Sequence, residues 1–451
     1  MAAFDQTYRY AGSSALRPSA AGQSLRLVSD QSAQTDGPAH FLSARALAPD
    51  VTAKGLRAVS EVVGARFYTP PSMVARLLRE ADPVATVSPG AVRFEGFSAC
   101  CSVYARMDLG DDALDTTTRR NGTTNVDFGP ELRAALAGVG PETELELGIG
   151  ADAVDVTRDG ARVVERKVPL PLRWVKGFGQ VQVALAGMAP VFTLSRLRAQ
   201  RFLRALPRGA SDHAQWVALA PGGAARLSTR PATGAVPLRG GHRLRVLEPM
   251  VARAEALEVH HDPGTQATAW SLVFGAQRFT LVLNAEPWRG FSGDGGLLSN
   301  LATSDGAATA TVRAWLNWQE RIDPEGLCGA TALEPGEVQS ALAELAALGL
   351  VGYDLGQGGY FHRVLPFDAE QIAALNPRLD AARALVAAGK VTLDGTEATV
   401  ESDDVVHRVR PAGDGWSCTC PWYAKTAGGR GSCKHILAVE ITLETCAWPL
   451  T

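Results

Sequence analysis

Four side chains near the end of the chain have the types and spacing of a metal site. Cys418 and Cys420 are separated by one residue, and Cys433 and His435 follow after twelve more. Three thiolates and one imidazole complete the tetrahedral coordination of Zn²⁺ and leave no position for a substrate or a reactive water. The nearest downstream acid is Glu440, and no Asp or Glu stands beside the ligands as a general base. The pattern predicts one structural zinc ion and argues against hydrolysis or deamination there.

Chance or disulfide formation could also produce a cluster of this kind. Chance would have to gather three of the seven cysteines and one of the eight histidines within eighteen residues, so metal ligation is the preferred interpretation. The remaining cysteines stand singly or adjacent, and neighbouring cysteines rarely pair: Cys100, Cys101, Cys328 and Cys446. We interpret these four as reduced, mostly buried side chains.

Local structure is expected to present the ligands in pairs. Side chains at i and i+2 on a straight strand point to opposite faces, so the strand must turn at the first pair, and Pro421 supplies the break. An apolar run that begins at Ile436 predicts a short helix whose first turn presents Cys433 and His435. The expected unit is a zinc-stabilised ββα finger.

This C-x-C, twelve-residue, C-x-H pattern, with Trp416 before it and Pro421 after the second cysteine, resembles a SWIM zinc finger. The preceding segment fits the resemblance with a predicted meander of three strands, at Val391–Leu393, Thr396–Val400 and Val405–Val409. SWIM modules are DNA- or protein-binding adaptors found beside helicases, transposases and kinase fragments. The resemblance therefore implies an interaction role.

Length and composition indicate a multidomain protein of the cytoplasm. With 451 residues, of which 46% are hydrophobic, the chain is long enough for about three domains. The first ten residues lack the apolar core of an export signal, and no run of apolar residues is long enough to cross a membrane. We expect a cytoplasmic protein without membrane contact.

The small net charge of −3 conceals a strongly basic middle segment. Residues 161–245 contain fifteen Lys or Arg but only two acids. Such a concentration of positive charge attracts phosphate backbones and acidic partners at long range. The rest of the chain is correspondingly acidic.

Part of this charge is predicted to lie along one helix, which Ser195 caps and which runs to Leu206. The apolar residues of one face are Ala199, Phe202, Leu203 and Leu206. The other face carries three arginines that could follow a phosphate track: Arg201, Arg204 and Arg208. An ordinary solvated face, or one that meets the acidic remainder of the chain, is an equally good interpretation.

The fold class is predicted as α+β and multidomain. Residues 1–90 form a poorly defined N-terminal region, and residues 91–290 form a basic α+β body with two βαββ repeats. In each repeat, a strand leads through a helix into further strands, an order that resembles the half-domains of DNA sliding clamps. An unrelated α+β domain would give the same order of elements.

Two further modules follow the body. After a Gly/Ser-rich linker at 291–307, residues 308–368 read as helix, helix and two-stranded hairpin, which is the order of a winged helix. Its would-be recognition surface carries Glu337, Glu344 and Asp354, with Arg363 the only base nearby, so phosphates would be repelled. We interpret this winged-helix-like module as a protein-contact or spacer element. Residues 369–451 contain the β-meander and the finger.

Motifs of common enzymes are absent from the sequence. It contains no P-loop, no H-E-x-x-H, no deaminase zinc motif and no G-x-S-x-G elbow. His260, His261 and Asp262 could be imagined as a catalytic cluster, but they follow an alternating strand and precede a Pro-Gly turn. We expect them to end a strand, and we predict a protein that is not an enzyme.

These features predict a zinc-binding adaptor that binds nucleic acid, DNA in particular, or proteins. Lys425, Arg430 and Lys434 surround the zinc ligands and add local positive charge to that of the body. The full architecture also resembles bacterial SWIM proteins associated with MoxR-type AAA ATPases and von Willebrand A-domain proteins. That resemblance implies an alternative, a purely protein-binding subunit of such an ATPase system.

Overall fold

The computed structural model describes most of the chain as a mixture of helices and several antiparallel sheets. The described residues are 15–19, 22–26, 40–65, 83–125, 128–151, 153–166, 172–210, 213–286, 290–291, 306–365, 377–412, 415–426 and 431–445. Of the predicted linker, residues 292–305 lie outside these ranges. None of the helices within the ranges is long and apolar enough to cross a membrane.

A hairpin and a five-stranded sheet are formed by the first third of the chain. The hairpin pairs β1 (Ala15–Ser19) with β2 (Gly22–Arg26). The sheet has the order β11-β10-β9-β3-β7. Its strands are β3 (His40–Ala46), β7 (Leu114–Arg119), β9 (Leu145–Gly150), β10 (Ala153–Arg158) and β11 (Ala161–Arg166). Helices α1 (Pro49–Gly64) and α2 (Pro130–Ala137) contact each other beside it.

An eight-stranded sheet joins both halves of the body in the order β12-β16-β17-β18-β6-β5-β4-β8. Its first-half strands are β4 (Val84–Ser88), β5 (Ala91–Phe97), β6 (Val103–Gly110) and β8 (Gly122–Asn125). Its second-half strands are β12 (Ala189–Ser195), β16 (Ala256–His261), β17 (Thr268–Phe274) and β18 (Gln277–Leu283). The predicted boundary between residues 90 and 91 falls in the turn between the paired strands β4 and β5. Strand β3 and helix α1 of the N-terminal region therefore pack with the body.

Three helices and a small sheet complete the second half. The sheet has the order β14-β13-β15, with β13 (Gln215–Leu219), β14 (Ala225–Ser228) and β15 (Val236–Leu238). The helices are α3 (Leu172–Ala186), α4 (Arg196–Ala205) and α5 (Glu248–Val251). A 3₁₀ segment, Gly241–Leu247, leads into α5.

Three helices precede a hairpin in the next module. They are α6 (Gly306–Ala314), α7 (Pro324–Thr331) and α8 (Pro335–Ala347), and the hairpin pairs β19 (Val351–Asp354) with β20 (Gly359–His362). Helix α6 ends at Ala314, and Trp315 just after it is half exposed. Helix α7 was not predicted; it begins where the Asp323 carboxylate accepts a hydrogen bond from the Gly326 amide.

The last module holds the predicted meander. Helix α9 (Pro377–Ala387) is followed by a four-stranded sheet of β21 (Val391–Asp394), β22 (Glu397–Ser402), β23 (Val405–Ala412) and β24 (Gly415–Cys418). Helices α10 (Pro421–Thr426) and α11 (Lys434–Thr445) close the chain, and α11 packs against α9. The three predicted strands are confirmed, and a turn at Gly395, whose φ is +57°, joins the first two.

Strands β5 and β6 bury both of their faces. The apolar face of β6 lies under α1, where a Cβ on Gly55 would overlap the sulfur of Met107. The opposite face carries Arg106 and Asp108, which an alternating pattern assigns to solvent. Both are buried, with 1% and 7% of their surface exposed, because the β19–β20 hairpin contacts this face.

Charged and polar groups fix the hairpin in that position. A terminal guanidinium nitrogen of Arg93 lies 2.9 Å from the Asp354 carboxylate, and the guanidinium stacks 3.9 Å from the ring centre of Phe361. Arg106 pairs with Asp108 at 2.8 Å and donates a 2.6 Å hydrogen bond to the Tyr353 carbonyl. Each of these two arginines on the polar face of the sheet therefore has a bonding partner in the hairpin.

A second, fully buried ion pair joins Arg363, just after β20, to Glu95 on β5. Tyr104 donates a 2.6 Å hydrogen bond to the other oxygen of the Glu95 carboxylate, and the Arg363 Nε donates to the Val351 carbonyl at 3.2 Å. Buried charges persist in folded proteins when they are paired and hydrogen-bonded in this way. The hairpin is therefore part of the interior rather than an exposed surface element.

Within this polar layer, Asp354 makes the stability of the fold depend on pH. Burial alone would raise the pKa of Asp354, but the charges of Arg106 and Arg93 outweigh it and hold that pKa well below its usual range. A carboxylate with a depressed folded pKa stabilises the fold above its unfolded pKa of about 3.9, and this contribution is lost as the pH falls toward the folded pKa. We expect Asp354→Asn to lower the midpoint of urea unfolding most at neutral pH and progressively less below about pH 4. Tryptophan fluorescence across a pH series measures this, and a deficit that does not shrink in acid would contradict it.

Candidate metal centre and nucleic-acid interface

The four predicted ligands lie on two structural units of the finger. Cys418 ends β24, opposite Val409 of β23, and Cys420 directly precedes α10. Cys433 accepts the first hydrogen bond of α11 through its carbonyl, from the Leu437 amide at 3.0 Å, which places His435 in the first turn. The strand turn at Pro421 and the helix after Cys433 are confirmed; that the turn continues as the short helix α10 was not predicted.

These side chains converge on one buried point. Their four ligand atoms lie within 4.8 Å of one another. The Nδ1 atom of His435 is 3.7 Å from the sulfur of Cys418 and 3.9 Å from that of Cys433, so Nδ1 is the nitrogen that faces the sulfurs. All four residues are buried, and the group contains no carboxylate.

Backbone donors prepare the sulfurs for a cation. The Cys420 amide donates to the Cys418 sulfur at 3.4 Å, and the Tyr423 amide donates to the Cys420 sulfur at 3.3 Å. The hydrogen bond with Cys418 lowers the pKa of Cys433, which favours the thiolate form of this sulfur. The same hydrogen bond, with burial, raises the pKa of Cys418, and burial raises that of Cys420. The positive charge of a bound divalent cation would lower the pKa values of Cys418 and Cys420 again, so that these two sulfurs could also be thiolates.

The donor set fits one structural zinc ion. Three sulfurs and one imidazole nitrogen fill a tetrahedral site, and the fold brings them together from the two ends of an eighteen-residue segment. Around them packs a small apolar cluster that includes Val400, Val409, Ile436 and Val439. When bound, the ion would link β24 to α11.

Comparison with known proteins agrees with this geometry. Residues 404–444 match the SWIM zinc finger family. This SWIM finger begins in the β22–β23 turn and ends near the end of α11. No protein of curated function matches the chain.

Among solved structures, the chain is similar to a proliferating cellular nuclear antigen from Entamoeba histolytica. The TM-score is 0.36 and the sequence identity is 10%. The similarity covers 54% of this chain and 98% of the other.

The basic residues of the finger do not form one uninterrupted positive face. Lys425 is exposed on α10. Lys434 pairs with Asp403 at 3.1 Å, so the β22–β23 turn brings an acid to a segment that contains none of its own. Arg430 lies outside the described residues.

The arginine-rich helix has the faces that its sequence predicts. Ser195 precedes α4 at the predicted position, but its side chain makes no capping hydrogen bond, and the helix ends at Ala205, one residue before Leu206. Its apolar face is buried: Ala199, Phe202, Leu203 and Leu206. Phe202 stacks on Trp270 of β17, with ring centres 5.6 Å apart. The three predicted arginines are exposed: Arg201, Arg204 and Arg208.

Further arginines extend this surface. Arg196 and Arg198 are exposed on the first turn of α4, and Arg226 is exposed on β14, which contacts α4. None of the ion pairs between described residues includes any of these six arginines. The helical period could have revealed Arg196 and Arg198, whereas Arg226 joins them only through the fold. We call this six-arginine surface the α4 patch.

The histidine and aspartate cluster that the sequence offered as a catalytic candidate lies at the end of a strand. His260 and His261 end β16, and the Asp262 carboxylate accepts hydrogen bonds from the amides of Gly264 and Thr265 at 3.0 and 3.1 Å. This is the predicted strand end and turn. Cys328 is half buried and free, and Cys446 lies outside the described residues.

Proposed function

We propose that the protein is a zinc-binding adaptor, without catalytic activity of its own, that binds nucleic acid, and DNA in particular, through the α4 patch. The observation that carries this proposal is the set of exposed arginines without carboxylate partners among the described ion pairs. Guanidinium groups at this density suit the phosphate backbone, which they can contact bidentately. Contacts of this kind give affinity without sequence preference.

The finger supplies a second contact in this proposal. Lys425 is the exposed cation nearest the metal centre in sequence among the described residues, and Arg430 follows it between the two ligand pairs of the sequence. Helix α4 packs on body strands, whereas α11 of the finger packs on α9. The two surfaces would therefore engage a partner as separate contacts whose affinities combine.

The finer architecture belongs to the same proposal. The strand-helix-strand order of the body supports a repeated, clamp-like arrangement in which α4 lies toward the phosphate backbone. The helices and hairpin at 306–362 support a winged-helix-like spacer, since the hairpin is buried against the body and the start of α8 presents the exposed acids Glu334 and Glu337. We place the protein in the bacterial cytoplasm, where its zinc thiolates remain reduced.

Charge reversal of α4 tests this function. We expect Arg201→Glu, Arg204→Glu and Arg208→Glu together to weaken binding to all DNA sequences and to reduce the slope of log affinity against log salt by about 3, one for each lost phosphate contact. Fluorescence anisotropy of the zinc-loaded chain with single- and double-stranded DNA over a salt series measures both quantities.

A matched variant separates the patch from overall charge. Arg133→Glu, Arg313→Glu and Arg383→Glu change the net charge equally, but these exposed residues lie on α2, α6 and α9. This control should keep most of the affinity and the original salt slope. Equal losses in both triple variants, or none in either, would remove α4 from the interface.

Two exposed valines favour an alternative in which the protein binds only other proteins. Val405 and Val406, at the start of β23, are 52% and 62% exposed within the SWIM finger. An apolar pair at this position suits a protein surface better than a phosphate backbone. The alternative is a subunit of a MoxR-type ATPase and von Willebrand A-domain system.

Affinity capture after nuclease treatment tests this alternative and should recover such an ATPase. Val405→Asp with Val406→Asp should abolish that recovery. Recovery of nucleic acid alone would favour the first function.

A further inference from the structure

A cavity of about 720 Å³ lies within the body, away from the zinc ligands and the α4 patch. The end of α1, the loop between β5 and β6, and the 3₁₀ segment before α5 form its walls. Cys100, Arg243 and His242 line it together with Ser98. The cavity thus combines a thiol, a guanidinium and hydroxyl groups in a space large enough for a small molecule.

Cys100 is held in a polar setting. Its sulfur lies 3.0 Å from the Ser102 hydroxyl and 3.4 Å from that of Ser98. Arg243 donates to the Ser102 hydroxyl and also forms a hydrogen bond with Cys100. Burial lowers the pKa of Arg243, and a negative charge on Cys100 opposes that shift. A thiolate beside a cation and two hydroxyl donors is more readily formed than a free cysteine thiolate.

The loop presents one cysteine of the pair and hides the other. Cys101 adopts a left-handed backbone, with φ of +55°, and its amide donates to the Ser98 carbonyl at 2.7 Å. Its side chain is buried, while Cys100 is half buried and lines the cavity. A non-glycine residue in this conformation is strained and marks a loop with a defined shape. The loop therefore fixes Cys100 toward the cavity.

We propose that Cys100 is a reactive thiol and that its cavity accepts small disulfides that carry carboxylate groups. The Cys100 thiolate would attack one sulfur of the ligand. A new S–S bond forms, the ligand's own S–S bond breaks, and the departing thiolate keeps the electron pair. The proton of Cys100 passes to solvent, and the disulfide itself is the oxidant.

Arg243 accounts for the preference for an anionic ligand. It stabilises the attacking thiolate and attracts the carboxylate of the incoming molecule. The other charged groups of the wall contribute less, because Arg245 and Glu248 pair with each other at 2.8 Å. Glu61 is the remaining acid and His242 the remaining base. Burial and the neighbouring Arg243 lower the pKa of His242, which favours the neutral ring. This site is independent of the proposed adaptor function.

The test uses the zinc-loaded full chain and two probes, the dianionic disulfide 5,5′-dithiobis(2-nitrobenzoate) and the uncharged disulfide 4,4′-dithiodipyridine. Peptide mass spectrometry assigns the modified cysteine at each time. We expect the dianionic probe to modify Cys100 at least about tenfold faster than Cys328, the half-buried cysteine outside the cavity. Equal rates at the two cysteines would overturn the proposal.

Variants then assign the role of the guanidinium. Arg243→Gln should slow the dianionic probe more than the uncharged one, and Arg243→Lys should restore part of the difference. In the unaltered protein, added salt should likewise slow the dianionic probe more than the uncharged one, because salt screens the charge of Arg243. This part of the test does not depend on the folding of a variant. If both probes slow equally in salt and in Arg243→Gln, the cavity does not select anions.

Discussion

Replacing Cys433 with serine is expected to abolish stoichiometric zinc binding and to unfold the finger. A hydroxyl does not replace a thiolate as a zinc ligand, and binding to a structural zinc site, worth about 10–16 kcal/mol in isolated fingers, is also folding free energy. The apolar cluster of the finger is small and includes three of the ligands themselves. It is too small to compensate for the lost ion. Metal analysis gives the stoichiometry, and amide hydrogen exchange over residues 391–445 reports the folding.

Cys328→Ser is the matched control, because it removes a cysteine outside the cluster. It should keep one zinc ion per chain and the exchange pattern of the unaltered finger. In Cys433→Ser, amides of the eight-stranded sheet should remain protected while those of β21 to β24 exchange quickly. Full zinc content with normal protection in Cys433→Ser would refute the assignment of the ligands.

The second large effect is expected at the buried pair of Glu95 and Arg363. Glu95→Gln leaves the guanidinium in the interior without its counter-charge, and Arg363→Met leaves the carboxylate there. Breaking a buried pair from one side costs about 3–5 kcal/mol. Each single variant should therefore lower the stability of the body strongly, as measured by urea unfolding followed through tryptophan fluorescence.

The double variant distinguishes a lost pair from damaged packing. With both charges removed, Glu95→Gln and Arg363→Met together should be more stable than either single variant. Glu401→Gln is the exposed counterpart, since its pair with Lys390 is about half exposed, and it should change stability by about 1 kcal/mol or less. Two single variants with the stability of the unaltered protein would mean that the buried pair does not form.

The features that could be predicted from the sequence are local ones. The zinc ligands lie within eighteen residues, so their spacing already fixes which atoms can converge. The faces of α4 follow from a 3.6-residue period and a flanking serine. The meander at 391–412 follows from alternation interrupted by a glycine turn. In each case the residues that decide the structure are neighbours in the chain.

The features that could not be predicted depend on distant residues. Alternation on β6 assigns Arg106 to solvent, but Tyr353 and Asp354 cover it from a hairpin far along the chain. No residue near Arg106 in the sequence indicates that this hairpin is its partner. For the same reason, β3 and α1 could not be assigned to the body, because their partners are strands and helices far from them in sequence.

The pairing of β6 with β18 also bears on how the chain is made. Ala105 of β6 pairs with Leu281 of β18. At a synthesis rate of about 5–20 residues per second, this edge of β6 therefore stays unpaired for roughly 10–35 s before β18 has been made. Unpaired strand edges associate with other chains, and charged side chains on the strand oppose this. Arg106 and Asp108 lie on this strand, so we expect the side chains that later hold the hairpin also to oppose association of the nascent sheet with other chains.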